Sequence, residues 1–407
     1  MSLVLPKFLK YVQIDTQSDD KSTLTPSTLK QFDLAKVLVE ELHEIGIKNA
    51  HVDEFGIVYA SIEGNKENVP SLGLIAHMDT ALEMPGKNVK PRVIENYDGK
   101  DIKLSDSIVM KVEDFPILKE KIGKTLVVTD GNTLLGGDDK AGIAIIMALC
   151  EFLMKNKDFP HGDIKIAFTP DEEIGRGTEN FDVKKFGAKF AYTVDGGPIF
   201  DVEYENFNAA SAVVKVKGVS IHPGSAKDKM INSMTLGMEF HSLLPKGMVP
   251  ELTSGYEGFN HLIRINGNVD ETVLEYIIRN HDAKILEDQK ADFIRNKNFL
   301  NEKYRRDLIS VEIKDTYKNM KDYLKDQMYI VDIAKEAISL VGLTPSSHPI
   351  RGGTDGANLT YMGLPCPNIG TGNYNAHGRY EFVVVEELEQ MVEIVKNIVS
   401  ITANKKW

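Results

Sequence analysis

Residues 71–76, Ser-Leu-Gly-Leu-Ile-Ala, form an unbroken run of small and apolar side chains that ends, with no turn signal, in His77-Met78-Asp79. So short and uniformly apolar a run reads as a buried strand. An imidazole and a carboxylate at its end are costly to bury unless they are paired or coordinate a metal. Alternate residues of a strand share a face. His77 and Asp79 are therefore expected to point together into a site at the strand's carboxyl end, where open α/β sheets bind their ligands.

The same pattern recurs along the first 200 residues. Helical periodicity at 3–12, 29–45 and 141–154 alternates with strand-like runs at 58–62, 72–76, 125–129, 164–169 and 190–194. Such alternation predicts a mostly parallel sheet covered on both faces. Residues 93–115 are polar and irregular, with a turn signal at Asp98-Gly99. Near residue 207 the pattern changes to β-prone segments at 209–216, 262–266, 273–279 and 309–313, with helices at 231–243 and 283–306. Helix, strand and helix return at 329–341, 366–369 and 385–402. The chain thus reads as an α/β domain, residues 1–206 and 318–407, interrupted by an inserted α+β domain at 207–317.

The net charge of −12 argues against a nucleic-acid partner and removes the polybasic route to a membrane surface. No apolar run approaches the ~20 residues that span a bilayer. The N-terminus carries no charged-then-apolar leader pattern, so the cytoplasm is the expected compartment. Cys150 and Cys366 are too few for a disulfide framework or a cysteine-type zinc site, and both read as core thiols.

Four further segments place ionisable groups at the ends of predicted elements. Gly136-Gly137-Asp138-Asp139-Lys140-Ala141-Gly142 precedes the helix at 141–154, and its aspartates read equally well as helix caps. It lacks the spacing of a phosphate loop. Thr169-Pro170-Asp171-Glu172-Glu173 ends one buried strand, Asp195 ends another, and His377 lies in the loop Asn375-Ala376-His377-Gly378-Arg379. Two histidines with several carboxylates at strand ends suit a mixed nitrogen and oxygen site for zinc or a similar divalent ion. No His-Glu-x-x-His helix and no Gly-x-Ser-x-Gly elbow is present.

Through these segments the chain resembles the M20 family of metallopeptidases, and within it the tripeptide aminopeptidases. The likeness extends to Asn208-Ala209-Ala210-Ser211, His222-Pro223-Gly224, Gly255-Tyr256-Glu257-Gly258-Phe259 and Arg351-Gly352-Gly353-Thr354-Asp355-Gly356. The resemblance implies a zinc-peptidase catalytic domain carrying an inserted lid and dimerisation domain. It implies two Zn2+ per subunit, for which Co2+ or Mn2+ can substitute. His77 and Asp195 would bind one ion, Glu173 and His377 the other, and Asp138 would bridge both. Glu172 would be the general base. Asp79 would orient His77 rather than bind metal, which revises the first reading of that pair. His222 would enter the site from the inserted domain, from the partner subunit of a homodimer.

The expected reaction is release of the N-terminal residue from tripeptides. Arg279 and Arg351 are candidates for gripping the peptide's free carboxylate, since guanidinium pairs bidentately with it; a structural ion pair is the competing reading for each. Amino-acid deacylation or carboxypeptidase action would use the same metal set. A silent binding protein on this scaffold would lack a ligand or the base, and none is missing. The two histidines disfavour phosphotransfer.

Overall fold

The computed structural model describes residues 3–407. The chain divides into two compact units. The first comprises Met1–Tyr204, Tyr323–His348 and Thr354–Trp407, and the second Glu205–Asp322 with Pro349–Gly353.

The first unit is built on a seven-stranded sheet. Its central strands, Ile164–Thr169, Leu72–His77, Phe190–Gly196 and Asn368–Gly370, all run parallel. Val58–Ile62 and Val202–Glu203 flank them antiparallel. Leu72–His77 is buried at every position, as a strand covered on both faces must be. Alternate side chains serve different cores. Leu74, Ile166, Phe168 and Tyr192 join the helices on one face, while Ile75, Ala167 and Ala191 pack with Phe181, Phe186 and Leu359 on the other.

The helix Gly137–Lys155 is buried nearly all round between Ala141 and Cys150, the signature of a helix enclosed by other elements. Gly142 sets how close this helix comes to the sheet: a Cβ there would lie 1.9 Å from the Val194 carbonyl oxygen.

The apolar run at 125–129 joins a different sheet from the one expected. Leu126–Val128 pairs antiparallel with Phe382–Val384 and Arg92–Ile94, and Asn373–Tyr374 completes a small four-stranded sheet. Leu126, Val128, Phe382 and Val384 share a separate core with Tyr97, Met110 and Leu118. That core draws the polar 93–115 segment into regular structure. The small sheet presents the loop that carries Asp138 and the hairpin that carries His377.

The second unit has a four-stranded antiparallel sheet in the order Phe259–Gly267, Glu271–Asn280, Asn208–Lys217, Ile309–Tyr317. Leu274, Tyr276 and Ile278 point inward with Ala210, Ala212 and Val214, against Phe240 and Phe293 of the helices Ser233–Ser242 and Ala283–Tyr304. Both helices begin on side-chain caps, Asn232 and Asp282, whose oxygens accept two backbone amides each.

The boundaries differ from those read in the sequence. The second unit begins at Glu205, continues through Asp322, and takes Pro349–Gly353 from the segment assigned to the α/β domain. The cause is local. The Ile350 amide donates to the Glu205 carbonyl at 2.8 Å, His281 Nε2 donates to the Ile350 carbonyl at 3.1 Å, and Gly353 approaches Tyr317 so closely that a Cβ would lie 2.9 Å from its ring.

Gly142→Ala should force the helix off the Asp195 strand, a defect that costs about 1–3 kcal/mol in overpacked cores. Thermal unfolding of the full chain would measure it, and an unchanged midpoint would show that the helix can shift without loss.

Candidate active site

His77 closes its strand opposite Thr169 and is 2% exposed. Ile75 pairs with Thr193 on the next strand, so two residues further on His77 comes level with Asp195. The ring faces different partners with its two nitrogens. Nε2 donates to Asp138 Oδ1 at 2.8 Å and lies 3.5 Å from Asp195 Oδ1. Nδ1 lies 3.3 Å from Asp79 Oδ1.

Asp79 is fully buried and does more than meet that ring. Its Oδ1 accepts the Glu172 amide at 2.9 Å and its Oδ2 the Glu173 amide at 3.2 Å. One carboxylate therefore registers the histidine against the acidic turn. That turn is held from behind by Asp171, which has left-handed backbone at φ 57° and accepts from Ser27 N, Ser27 Oγ and Gln31 Nε2.

Asp138 and Asp139 have non-helical backbone, so the regular helix starts after them, and they divide the roles that the sequence left open. Asp139 is the cap: its Oδ1 accepts the Gly142 amide at 3.1 Å, and its Oδ2 accepts the His77 amide at 3.2 Å. Asp138 faces the imidazoles. Its Oδ1 meets His77, and its Oδ2 lies 3.3 Å from His377 Nε2. His377 Nε2 is also 3.0 Å from Glu173 Oε2.

Two groups of potential metal ligands result, His77 with Asp138 and Asp195, and Asp138 with Glu173 and His377. Within each group the ligand atoms lie within 4.8 Å of one another, and Asp138 belongs to both. Glu172 belongs to neither group, nor does Asp79.

The electrostatics are those of a basin short of positive charge. Burial opposes a charged imidazole at His77, yet Asp195, Asp138 and Asp79 outweigh it and hold the ring protonated well above the ordinary histidine range. Hydrogen bonds to Asp138 and Glu173 push His377 up to about 11. Burial works to raise Asp138, but the two imidazoles more than offset it and hold its carboxyl below the usual range. Elsewhere burial prevails. It raises Glu172 well above the carboxylate range, raises Asp195, and pushes Glu173 and Asp355 up to about 7.

Glu173 Oε1 is buried with no hydrogen-bond partner. An orphaned acceptor beside converging oxygen and imidazole donors fits a divalent cation in each group. The donor set therefore accepts the metals that the resemblance implies.

The other three candidates lie on the second unit. His222 is exposed, and its Nδ1 accepts the Gly224 amide at 3.2 Å. Arg279 donates from Nη1 to the carbonyls of Ala210 and Ile278 and lies over the Tyr317 ring. Arg351 donates from Nη1 to Gly255 O and Glu257 O and from Nη2 to Thr253, and it stacks on Phe207 and Phe259. Its guanidinium buttresses the 253–257 loop, which disfavours it as a carboxylate clamp.

Three buried carboxylates escaped the sequence reading as site residues: Asp139, Asp355 and Glu381. Asp355 accepts from Thr169 Oγ1 at 2.8 Å beneath the strand end next to His77. Glu381 had a detectable signal, since it directly precedes the apolar run Phe382-Val383-Val384.

Comparison with known proteins assigns the class. The profile described as peptidase family M20/M25/M40 matches residues 125–400, and the chain belongs to that family. Over the whole of both chains it is 52% identical to a protein named peptidase T from Clostridium acetobutylicum. Its fold is shared with aminopeptidase PepT from Bacillus cereus, at TM-score 0.79 and 23% identity, over 99% of this chain and 98% of that one. A tripeptidase from Staphylococcus aureus superposes with the same TM-score at 22% identity, with the same coverage of each chain. No helix among the described residues is long and apolar enough to cross a membrane.

Asp79→Asn would set an amide NH2 against a backbone N–H of the acidic turn. Loss of an outer partner of a metal-bound histidine typically costs 10–100-fold in affinity or activity. Metal analysis with parallel peptidase assays should show cations retained at weakened affinity and activity reduced in that range.

Proposed function

We propose that this chain is a zinc-dependent aminopeptidase that removes the N-terminal residue from tripeptides, with Glu172 as general base. One observation carries the reading: the two oxygens of Asp138 face two different imidazoles, at 2.8 and 3.3 Å. A carboxylate so placed suits a bridge between two cations. The whole-length similarity to peptidase T supports the substrate class.

Bound divalent ions would polarise the scissile carbonyl and make water more acidic. The chain's residues supply the rest. Asp79 fixes both the His77 ring and the turn that presents Glu172 and Glu173. Glu173 faces His377, which commits it to the ligand group. Glu172 stands outside both groups, free to take the proton of the attacking water and return it to the leaving amine.

His222 accepts the Gly224 amide at Nδ1. With Nδ1 accepting, Nε2 is the nitrogen that can present an N–H to a developing oxyanion. Arg279 uses Nη1 alone on its neighbouring carbonyls, whereas Arg351 engages both Nη1 and Nη2, so we take Arg279 as the candidate for the peptide carboxylate. The second unit would serve as lid and as the contact of a homodimer. Its edge strand Phe259–Gly267, with Ile263 and Ile265 exposed, supports the pairing role.

Glu172→Ala should keep the metal content of the parent and lose about 10²–10⁴-fold in turnover of a tripeptide. Plasma emission for the metals and amine release for the reaction would measure both, and substantial residual activity would remove Glu172 as the base. The parent should cleave free tripeptides and spare their Nα-acetylated forms. Equal turnover of the two would exclude recognition of a free N-terminus. Arg279→Ala should raise KM for free tripeptides and leave it unchanged for C-terminally amidated ones, since only the former present a carboxylate.

A further inference from the structure

Glu381 is a buried carboxylate, 1% exposed, that takes no part in the chemistry described above. Both of its oxygens are turned toward the loop that carries Asp138. Oε2 accepts the amides of Leu135 and Gly136 at 2.8 Å each, and Oε1 accepts the amide of Asp138 itself at 3.0 Å. These three bonds cross 243 to 246 residues of sequence.

At its own end, Glu381 closes the turn that presents His377. Its backbone N–H donates to the Gly378 carbonyl at 3.2 Å, and Asn375 Nδ2 donates to the Tyr380 carbonyl at 3.1 Å. Asn375 and His377 both have left-handed backbone, at φ 56° and 63°. Such residues persist only where their surroundings over-determine them. The turn therefore depends on its tethers, and Glu381 links it to the Asp138 loop.

The two ligand groups differ in what holds them. Two ligands of the first group, His77 and Asp195, are carried by neighbouring parallel strands whose register fixes them, and only the shared Asp138 rests on Glu381. His377 is carried by a hairpin loop that Glu381 hydrogen-bonds to the backbone of the Asp138 loop.

We propose that Glu381 is a positioning residue that sets the spacing between Asp138 and His377, and thereby the affinity for the second cation. This rests on the two-cation reading of the site. A carboxylate suits the task because all of its lone pairs can accept. A glutamine would keep a carbonyl for two of the amides and oppose its NH2 to the third.

The test is a Zn2+ titration of metal-stripped full-length protein, by calorimetry with a competing chelator, for the parent, Glu381→Gln and Glu381→Ala. The parent should bind two equivalents. In the variants the first equivalent, which shares only Asp138 with the second, should weaken less than the second. The second should weaken by about 10-fold in Glu381→Gln and toward 100-fold in Glu381→Ala. Peptidase activity should return as Zn2+ is raised, with KM for the peptide unchanged.

Weakening of both equivalents alike, or of neither, would overturn the proposal. So would activity that excess Zn2+ fails to restore in Glu381→Gln, the milder variant should Glu381→Ala fold poorly. A parent that binds fewer than two equivalents would overturn the two-cation reading itself, which separates the two failures.

Discussion

The structure depends on one constraint: a crowd of buried carboxylates must be held together around two imidazoles. Asp79, Asp138, Asp139, Glu172, Glu173, Asp195 and Asp355 gather where the central strands end, and His77 and His377 lie among the first six. Two like charges about 4 Å apart repel by about 4 kcal/mol at an effective dielectric of about 20. Seven ionised carboxyls cannot share such a basin with two cationic rings alone. Burial pushes the carboxyls of Glu172, Glu173, Asp195 and Asp355 upward, and the surrounding carboxylates push both rings upward. Divalent cations would relieve the same repulsion and leave the carboxylates ionised, which is the form that catalysis needs.

The scaffold supplies what that crowding demands, namely rigidity from several directions. Parallel strands place His77 and Asp195 side by side. The helix Gly137–Lys155 is seated against Val194 through Gly142, so Asp139 can cap the helix and hold the His77 amide at once. Asp171 anchors the acidic turn to Ser27 and Gln31 near the start of the chain. Asp79, Asp139, Asp355 and Glu381 lie outside the ligand groups and accept hydrogen bonds from backbone amides or a hydroxyl around the ligands.

Much of this is legible in the sequence because burial writes a strong signal. The runs at 72–76, 164–169 and 190–194 are too apolar to be anything but core, and the ionisable residue at the end of each is conspicuous. The antiparallel second unit is legible from alternation, which Glu271–Asn280 shows plainly. What the sequence hides depends on contacts far apart in the chain. The strand at 126–128 has the composition of a parallel-sheet strand, but its partners are at 382–384 and 92–94. Arg351 looks like a free guanidinium in a glycine-rich loop until the carbonyls of Thr253, Gly255 and Glu257 are seen around it. The division of labour between Asp138 and Asp139 is local in sequence, yet only the path of the backbone decides which side chain caps and which faces the imidazoles. Resemblance to a family pointed to Asp138 and left Asp139 without a role.

The two ligand groups differ in kind, and the difference has a consequence for how the site is assembled. The first draws His77 and Asp195 from adjacent strands of one sheet, where register and two hydrophobic cores leave little freedom. The second draws Glu173 from a short 3₁₀ turn and His377 from a hairpin loop whose imidazole is 43% exposed. Loops at the rim of a sheet open at lower free energy than its central strands. His77 and Asp195 are thus preorganised by folding, and the remaining ligands are organised by tethers: Asp79 on the Glu173 amide, Glu381 on the loop of the shared Asp138, and Asp171 behind the acidic turn. A second ion must order what the first finds already in place. In the two-cation reading its binding free energy would be reduced by that ordering, and the sheet-borne ligands would be met before the loop-borne ones.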